Sequence, residues 1–386
     1  MSLRNIIERE IREGGTIPFS RYMELCLYHP QFGYYSRNAE QFGKAGDFYT
    51  SSDVHAVFGR LLARQFEEIW RALGSPAKIE ILEPGPGRGL FAQDVLDWSE
   101  KKFPELFRAL HYSLSERSPV LQGRLKQTLA RSLESGHASL VSENASEGVQ
   151  RALAPEIPII IFANEFFDAL PVEIVGTQGA LRISTENNRL TETWVPPSAE
   201  ELEFLDQYGV HPEPGERIEV PMLALDVMSR LAASVRYGFV IVIDYGYTRQ
   251  EQLAGRHRGT LMAYRQHAAT PNPYEAPGEQ DLTAHVNFTA LAAAAKGHGM
   301  QVQPLLTQSQ FLMGIGETNQ FADVFEDCRL PQERAKVALQ LKHLVTPAGM
   351  GESFHVLIAA RGVDEDRVAG LSGLSFSRSR LASTHD

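Results

Sequence analysis

From Lys78 onward, short apolar runs alternate with longer stretches in which apolar residues recur every three or four positions. The runs cover residues 79–82, 111–114, 139–141, 157–163 and 239–243, each of strand length. Continuous apolar character marks strands that are covered on both faces, and the helical stretches between them supply the cover. The pattern predicts an α/β fold with a parallel, doubly wound sheet. Two later runs, 301–305 and 354–360, are expected to complete it. Residues 1–75 read as a helical segment on the substrate side, with an aromatic loop at 28–35. Val54, Val57, Phe58, Leu61, Leu62, Phe66 and Ile69 form one apolar helix face there, with Ser52 or Asp53 as N-cap. The core then spans 76–362. Within it, 176–218 breaks into polar, Pro- and Gly-containing pieces such as Leu181-Arg182-Ile183, which predicts a β-rich insertion. The stretch 247–345 reads as a loop followed by helices from Asp281 onward, a helical region on the substrate side. The Ser- and Arg-rich end, 364–386, is expected to be disordered.

Directly after the first strand comes Glu83-Pro84-Gly85-Pro86-Gly87-Arg88-Gly89-Leu90. A dinucleotide fingerprint, G-x-G-x-x-G, needs a third glycine where this chain has Leu90, and the acid that ends the next strand, Glu116, follows Glu83 by 33 residues instead of the usual ~20. What remains is acid-x-Gly-x-Gly-x-Gly, the pattern of class I S-adenosyl-L-methionine (SAM) methyltransferases with a Rossmann-like sheet. In that reading Glu83 stands at the ligand's ammonium end. Gly85 and Gly87 admit the ligand where a Cβ would block it, and the helix opening at Leu90 offers N–H groups to its carboxylate. Glu116, ending the second strand, is placed for the ribose hydroxyls; Asn144, after the third, is placed for adenine.

The fourth strand runs straight into Asn164-Glu165-Phe166-Phe167-Asp168-Ala169-Leu170-Pro171. Open α/β sheets bind ligands at such carboxyl ends. Asn164 falls to the cofactor, while Glu165 and Asp168 suit a cationic methyl acceptor. A guanidinium, with its pKa above 12, is a poor nucleophile until carboxylates dock it, polarise one nitrogen and receive its proton. A plainer reading makes Asp168 a helix cap and pairs Glu165 with an arginine. His285 follows Asp281 by four residues, so on a helix the two share a face, either lining the acceptor pocket or simply hydrogen-bonded to each other. His55, His257 and His267 show no partner pattern.

Composition narrows the partners. Against 37 Lys and Arg stand 48 Asp and Glu, a net charge of −11, which opposes bulk nucleic-acid binding and leaves room for a basic, arginine-bearing protein target. Cys26 and Cys328 lie far apart, outside metal-like spacing, so neither a disulfide nor a zinc site is expected. No apolar run reaches membrane-spanning length, and Glu8, Glu10 and Glu13 argue against a transit peptide, which together point to the cytoplasm. None of this sets an oligomeric state.

Five ordered motifs carry a resemblance. Residues 46–51 (GDFYTS), Phe58-Gly59, 164–172 (NEFFDALPV), Asp244-Tyr245-Gly246 and 277–286 (PGEQDLTAHV) are similar to those of the MidA-type SAM-dependent methyltransferases. The resemblance implies a class I methyltransferase sheet with an added helical region, SAM as cofactor, and Thr50 and Ser51 beside it. It also implies protein arginine as acceptor, because the family includes the mitochondrial arginine methyltransferase that assists assembly of respiratory complex I. A complex I subunit or its bacterial counterpart is the substrate so implied. The chain departs from the family at Ser52-Asp53, where Pro-Glu is usual, at Arg60 in place of Glu, and at Asn287-Phe288 in place of Asp-Phe. If those changes disable acceptor binding, the chain is a non-catalytic SAM-binding assembly or scaffolding protein of the same fold.

Overall fold

The computed structural model describes residues 2–37, 56–141, 157–187, 189–265 and 268–377. At its centre lies a sheet in the order Gln301–Val302, Phe354–Arg361, Gly238–Tyr247, Ile159–Asn164, Ile79–Pro84, Leu110–Ser115 and Ala138–Leu140. The last five of these pair in parallel. Phe354–Arg361 runs antiparallel to Gly238–Tyr247, so the doubly wound sheet carries an antiparallel edge. Chain order reverses between Ile79–Pro84 and Ile159–Asn164, the switch point at which such sheets open a ligand crevice.

The continuous apolar runs are buried on both faces, as parallel strands require. On one face the helices Ala56–Ala72 and Leu90–Lys102 bring Phe66 and Phe91 onto Phe162, with the Phe91 and Phe162 rings stacked at 4.6 Å. On the other, Met222–Ser234 and Phe288–Gly297 bury Met228, Leu231 and Leu291 against Ile161, Val240 and Val242.

The β-rich insertion region supplies four strands of a separate five-stranded sheet, and the fifth is the short strand Ile17–Pro18 near the start of the chain, with Ile17 opposite Ile183. The helices Leu3–Gly14 and Phe19–Tyr28 pack Ile7, Ile11, Phe19 and Tyr22 against Ile174, Leu181 and Leu282. Two segments far apart in sequence thus build one layer above the carboxyl ends of the central strands.

Two expectations are corrected. Asp281–Thr283 is a strand paired with Met262–Arg265, not the start of a helix; the helix begins at Phe288, where the Asn287 side chain caps it. The end of the chain is folded as far as residue 377. A short helix, Glu365–Ala369, and a 3-10 turn, Ser372–Leu374, bury Val368, Leu371 and Leu374 in the main core. Backbone N–H groups of Ser372 and Gly373 donate to Glu68 and Gln65 on the helix Ala56–Ala72. Leu374 is 1% exposed. Leu374→Ala is therefore expected to lower stability by about 2–5 kcal/mol in urea titration, the range for emptying a core leucine site; an unchanged midpoint would mean that this end does not pack.

Candidate active site

The turn after Ile79–Pro84 is built from positive-φ glycines: Gly85 at +66°, Gly87 at +55° and Gly89 at +76°. The Gly85 N–H donates to the Ser115 carbonyl at 2.8 Å, which ties the turn to the neighbouring strand. A Cβ on Gly85 would stand 2.9 Å from the Phe166 ring, whereas a Cβ on Gly87 would enter open space. Both glycines line a cavity of about 560 Å³. The helix Leu90–Lys102 starts at its wall with no side-chain cap, leaving first-turn N–H groups available to an anionic ligand group.

Neutral donors hold the two acids of this half. The Tyr112 hydroxyl donates to Glu83 Oε2 at 2.8 Å. Glu116 accepts from the N–H of Gly87 at 3.2 Å and of Ser118 at 2.8 Å. Burial pushes Glu83 up to about 8 and Glu116 up to about 7. Carboxyls raised in this way gain most from a cationic or hydroxyl-bearing ligand, which returns to the carboxylate the stabilisation that water no longer gives.

Across the cavity stands the turn after Ile159–Asn164. Asn164 donates to Glu165 Oε1 at 3.3 Å, and its own side-chain oxygen is buried without a hydrogen-bond partner among the described residues. Glu165 takes a φ of +47°, and its N–H donates to the Ile243 carbonyl at 2.9 Å. Asp168, 4% exposed, accepts from the Tyr245 hydroxyl at 2.7 Å and is pushed up by burial to about 6. No helix follows it, since the chain passes into the strand Glu173–Gly176, so Asp168 is not a helix cap. From the layer above, the Tyr28 hydroxyl donates to the Ala169 carbonyl at 2.9 Å and the Tyr35 hydroxyl to Asp281 at 3.0 Å. Tyr28, Tyr35 and Asp281 line the cavity, Asp281 from a strand rather than from the helix face that the sequence suggested.

Glu83, Gly85, Gly87, Glu116, Asn164, Glu165 and Asp168 thus meet around one cavity. Thr50, Ser51 and Asn144 lie outside the described residues, as do Ser52 and Asp53. His285 is not brought to the cavity. Because Asp281–Thr283 is a strand, the shared helix face with Asp281 does not form. His285 instead places Nδ1 3.2 Å from His257 Nδ1 and packs edge-on against the Tyr245 ring, and burial lowers it to about 4. His257, which showed no partner pattern, is therefore its partner. The departures at 60 and 287 are structural. Arg60 pairs with Asp327 at 2.5 Å and lies over the Trp98 ring, while Asn287 caps its helix and donates to the Tyr208 carbonyl.

Among the described residues no helix is long and apolar enough to cross a membrane, and no group of His, Cys, Asp and Glu could hold a metal ion.

Known proteins resemble this chain in sequence and fold. A family model described as "Putative S-adenosyl-L-methionine-dependent methyltransferase" matches residues 61–306. The mitochondrial protein arginine methyltransferase NDUFAF7 of Homo sapiens is 27% identical over 377 residues, covering 92% of this chain and 82% of that protein. The Drosophila melanogaster homolog is 28% identical over 394 residues, covering 94% and 85%. A Burkholderia thailandensis protein solved with S-adenosyl-homocysteine bound superposes with a TM-score of 0.82 at 28% identity, covering 97% of this chain and 94% of that one. The resemblance to the MidA-type enzymes, the class I sheet and the cofactor all follow. The chain belongs to this family of SAM-dependent methyltransferases.

Proposed function

We propose that this methyltransferase acts on arginine side chains of a protein substrate. The observation that carries the reading is the pair of acids on one turn, Glu165 and Asp168, facing the glycine turn across a shared cavity. Asp281 and the tyrosines Tyr28 and Tyr35 extend that wall, a lining suited to a planar cation. The relatives named protein arginine methyltransferases support it, as does a net charge of −11 in an enzyme that must attract a basic segment. Arg60 and Asn287, spent on structural contacts away from the cavity, give no support to a disabled scaffold.

Open space at Gly87, the raised acids Glu83 and Glu116, and the unpartnered Asn164 oxygen fit SAM. When bound, SAM supplies an electrophilic methyl group on a sulfonium. Glu83 would balance its ammonium, Glu116 would accept from its ribose, and Gly85 and Gly87 would let the backbone approach. Two cations brought together repel, so the acceptor needs carboxylates beside it. Glu165 docks the guanidinium and orients one nitrogen; Asp168 is placed to take the released proton.

Three outcomes test this reading. Gly87→Val fills open space within an intact fold and is expected to weaken SAM binding at least 100-fold by calorimetry, with the residual strain at positive φ costing about 1–2 kcal/mol of stability. Glu165→Gln should lose methyl transfer by roughly 100-fold while SAM affinity stays near normal. The measurement is single-turnover transfer of labelled SAM into an extract, with mass spectrometry of the labelled residue. Label on a residue other than arginine, or full activity in the variant, would sink the proposal. Finally, because Glu83 and Glu116 are raised to about 8 and about 7, both are partly protonated in the ligand-free protein below those values. A cationic ligand binds the ionised forms, so SAM affinity should rise with pH across this window, with protons released on binding. Calorimetry in two buffers of different ionisation enthalpy reads that release; a pH-independent affinity would contradict it.

A further inference from the structure

Asp244 sits near the carboxyl end of the strand Gly238–Tyr247, fully buried and behind the cavity wall rather than in it. Its Oδ2 accepts from three successive backbone N–H groups, Phe166 at 3.2 Å, Phe167 at 3.0 Å and Asp168 at 3.3 Å, and its Oδ1 from Tyr245 N–H at 3.0 Å. Three of those donors belong to the turn that carries Glu165 and Asp168. Glu165 stands there at a φ of +47°, a conformation that a side-chain-bearing residue keeps only where its surroundings impose it. The Asp244 carboxylate supplies that imposition from behind.

The same contacts assign the cluster's proton. All four of these contacts to Asp244 come from donors, which stabilise its ionised form, so Asp244 is the anion. Asp168 differs. One hydroxyl, that of Tyr245, donates to its Oδ2 and no donor reaches its buried Oδ1 among the described residues, so its ionised form is the less stabilised of the two. Burial, and then repulsion among Asp244, Asp168 and Glu165, raise the proton affinity of the cluster. From the surrounding elements, Tyr28, Tyr35 and Tyr264 face Asp168, and Asp281 bonds Tyr35. His285 lies against the Tyr245 ring and His355 opposes Asp244 on the neighbouring strand. Burial lowers both histidines, so neither brings a positive charge near neutral pH.

We propose that Asp244 is the positioning residue of the acceptor site: it clamps the turn so that Glu165 and Asp168 face the cavity, and its fixed negative charge keeps the cluster's proton on Asp168. The proposal rests on the reading of Glu165 and Asp168 as the acceptor-binding pair. A guanidinium docking beside Glu165 stabilises the Asp168 anion and sends that proton to solvent. The Asp168 carboxylate then receives the proton that the acceptor nitrogen gives up.

Infrared difference spectroscopy between acid and neutral pH reads a buried protonated carboxyl directly. The ligand-free enzyme should show one that titrates near pH 6, where burial places Asp168 at about 6, and Asp168→Asn should remove it. Asp244→Asn takes away the repelling charge and should move that midpoint down by about one pH unit or more. Tyr245→Phe takes away a donor to the Asp168 anion and should move it up, leaving the contacts of Asp244 in place. SAM binding by calorimetry checks that each variant is folded, since the glycine turn lies across the cavity. An unmoved midpoint in a SAM-binding Asp244→Asn protein overturns the proposal. If that variant does not fold, an unmoved midpoint in Tyr245→Phe overturns it equally. A clamp without an electrostatic role would leave the titration where it was. None of these readings requires an acceptor, so label found on a residue other than arginine would defeat the arginine reading and leave the Asp244 result standing.

Discussion

The parallel pairing of Ile79–Pro84 with Ile159–Asn164 is the constraint on which the site depends. Leu82 stands opposite Ile161 in register, so the two strands end side by side and their following turns rise together. The chain leaves these strands in opposite directions across the sheet, and the gap between the departing turns cannot be filled by either connection. One turn is made of glycines and lets a ligand approach the backbone. The other is made of acids and is held from behind by the next strand. The two turns are brought to a common boundary by hydrogen bonds between backbones, before any side chain contributes.

That geometry has an electrostatic cost. Glu83, Glu116, Asp168 and Asp281 are all nearly sheltered from water at the edge of one cavity. Buried carboxyls are tolerated when donors satisfy them, and here tyrosine hydroxyls and backbone N–H groups do so without adding positive charge. The donors shown for Glu83, Glu116 and Asp168 are neutral, so these carboxyls keep their charge for a cationic ligand.

The sheet was legible because strands buried on both faces read as unbroken apolar runs, as residues 239–243 do. The residues that line the cavity from strand ends were legible for a related reason: Glu83, Glu116 and Glu165 sit where a run stops, and a strand's end fixes the place of the next residue without knowledge of the rest of the fold. His285 was misread because spacing of four suggests a helix, whereas the partner that makes Asp281–Thr283 a strand is Met262–Arg265, a pairing no local pattern reveals. The folded end was missed because serines and arginines masked Val368, Leu371 and Leu374, whose spacing of three was the available signal. For Asp244 a signal did exist, an acid closing the apolar run at 239–243, but the three N–H groups it gathers come from a turn some 80 residues earlier in the chain.

The pairing of Ile17 with Ile183 bears on the order in which the molecule can be made. Helices near the start of the chain emerge early from the ribosome, yet Ile7, Phe19 and Tyr22 find their apolar partners only once residues 174–183 and Leu282 have followed. Until then their apolar faces have nowhere to pack, and closing so long a loop is slow compared with local helix formation. The glycine turn and its two strands can assemble meanwhile from residues 56–164 and their near neighbours. The layer that bears Tyr28 and Tyr35 therefore settles after the glycine turn and its two strands.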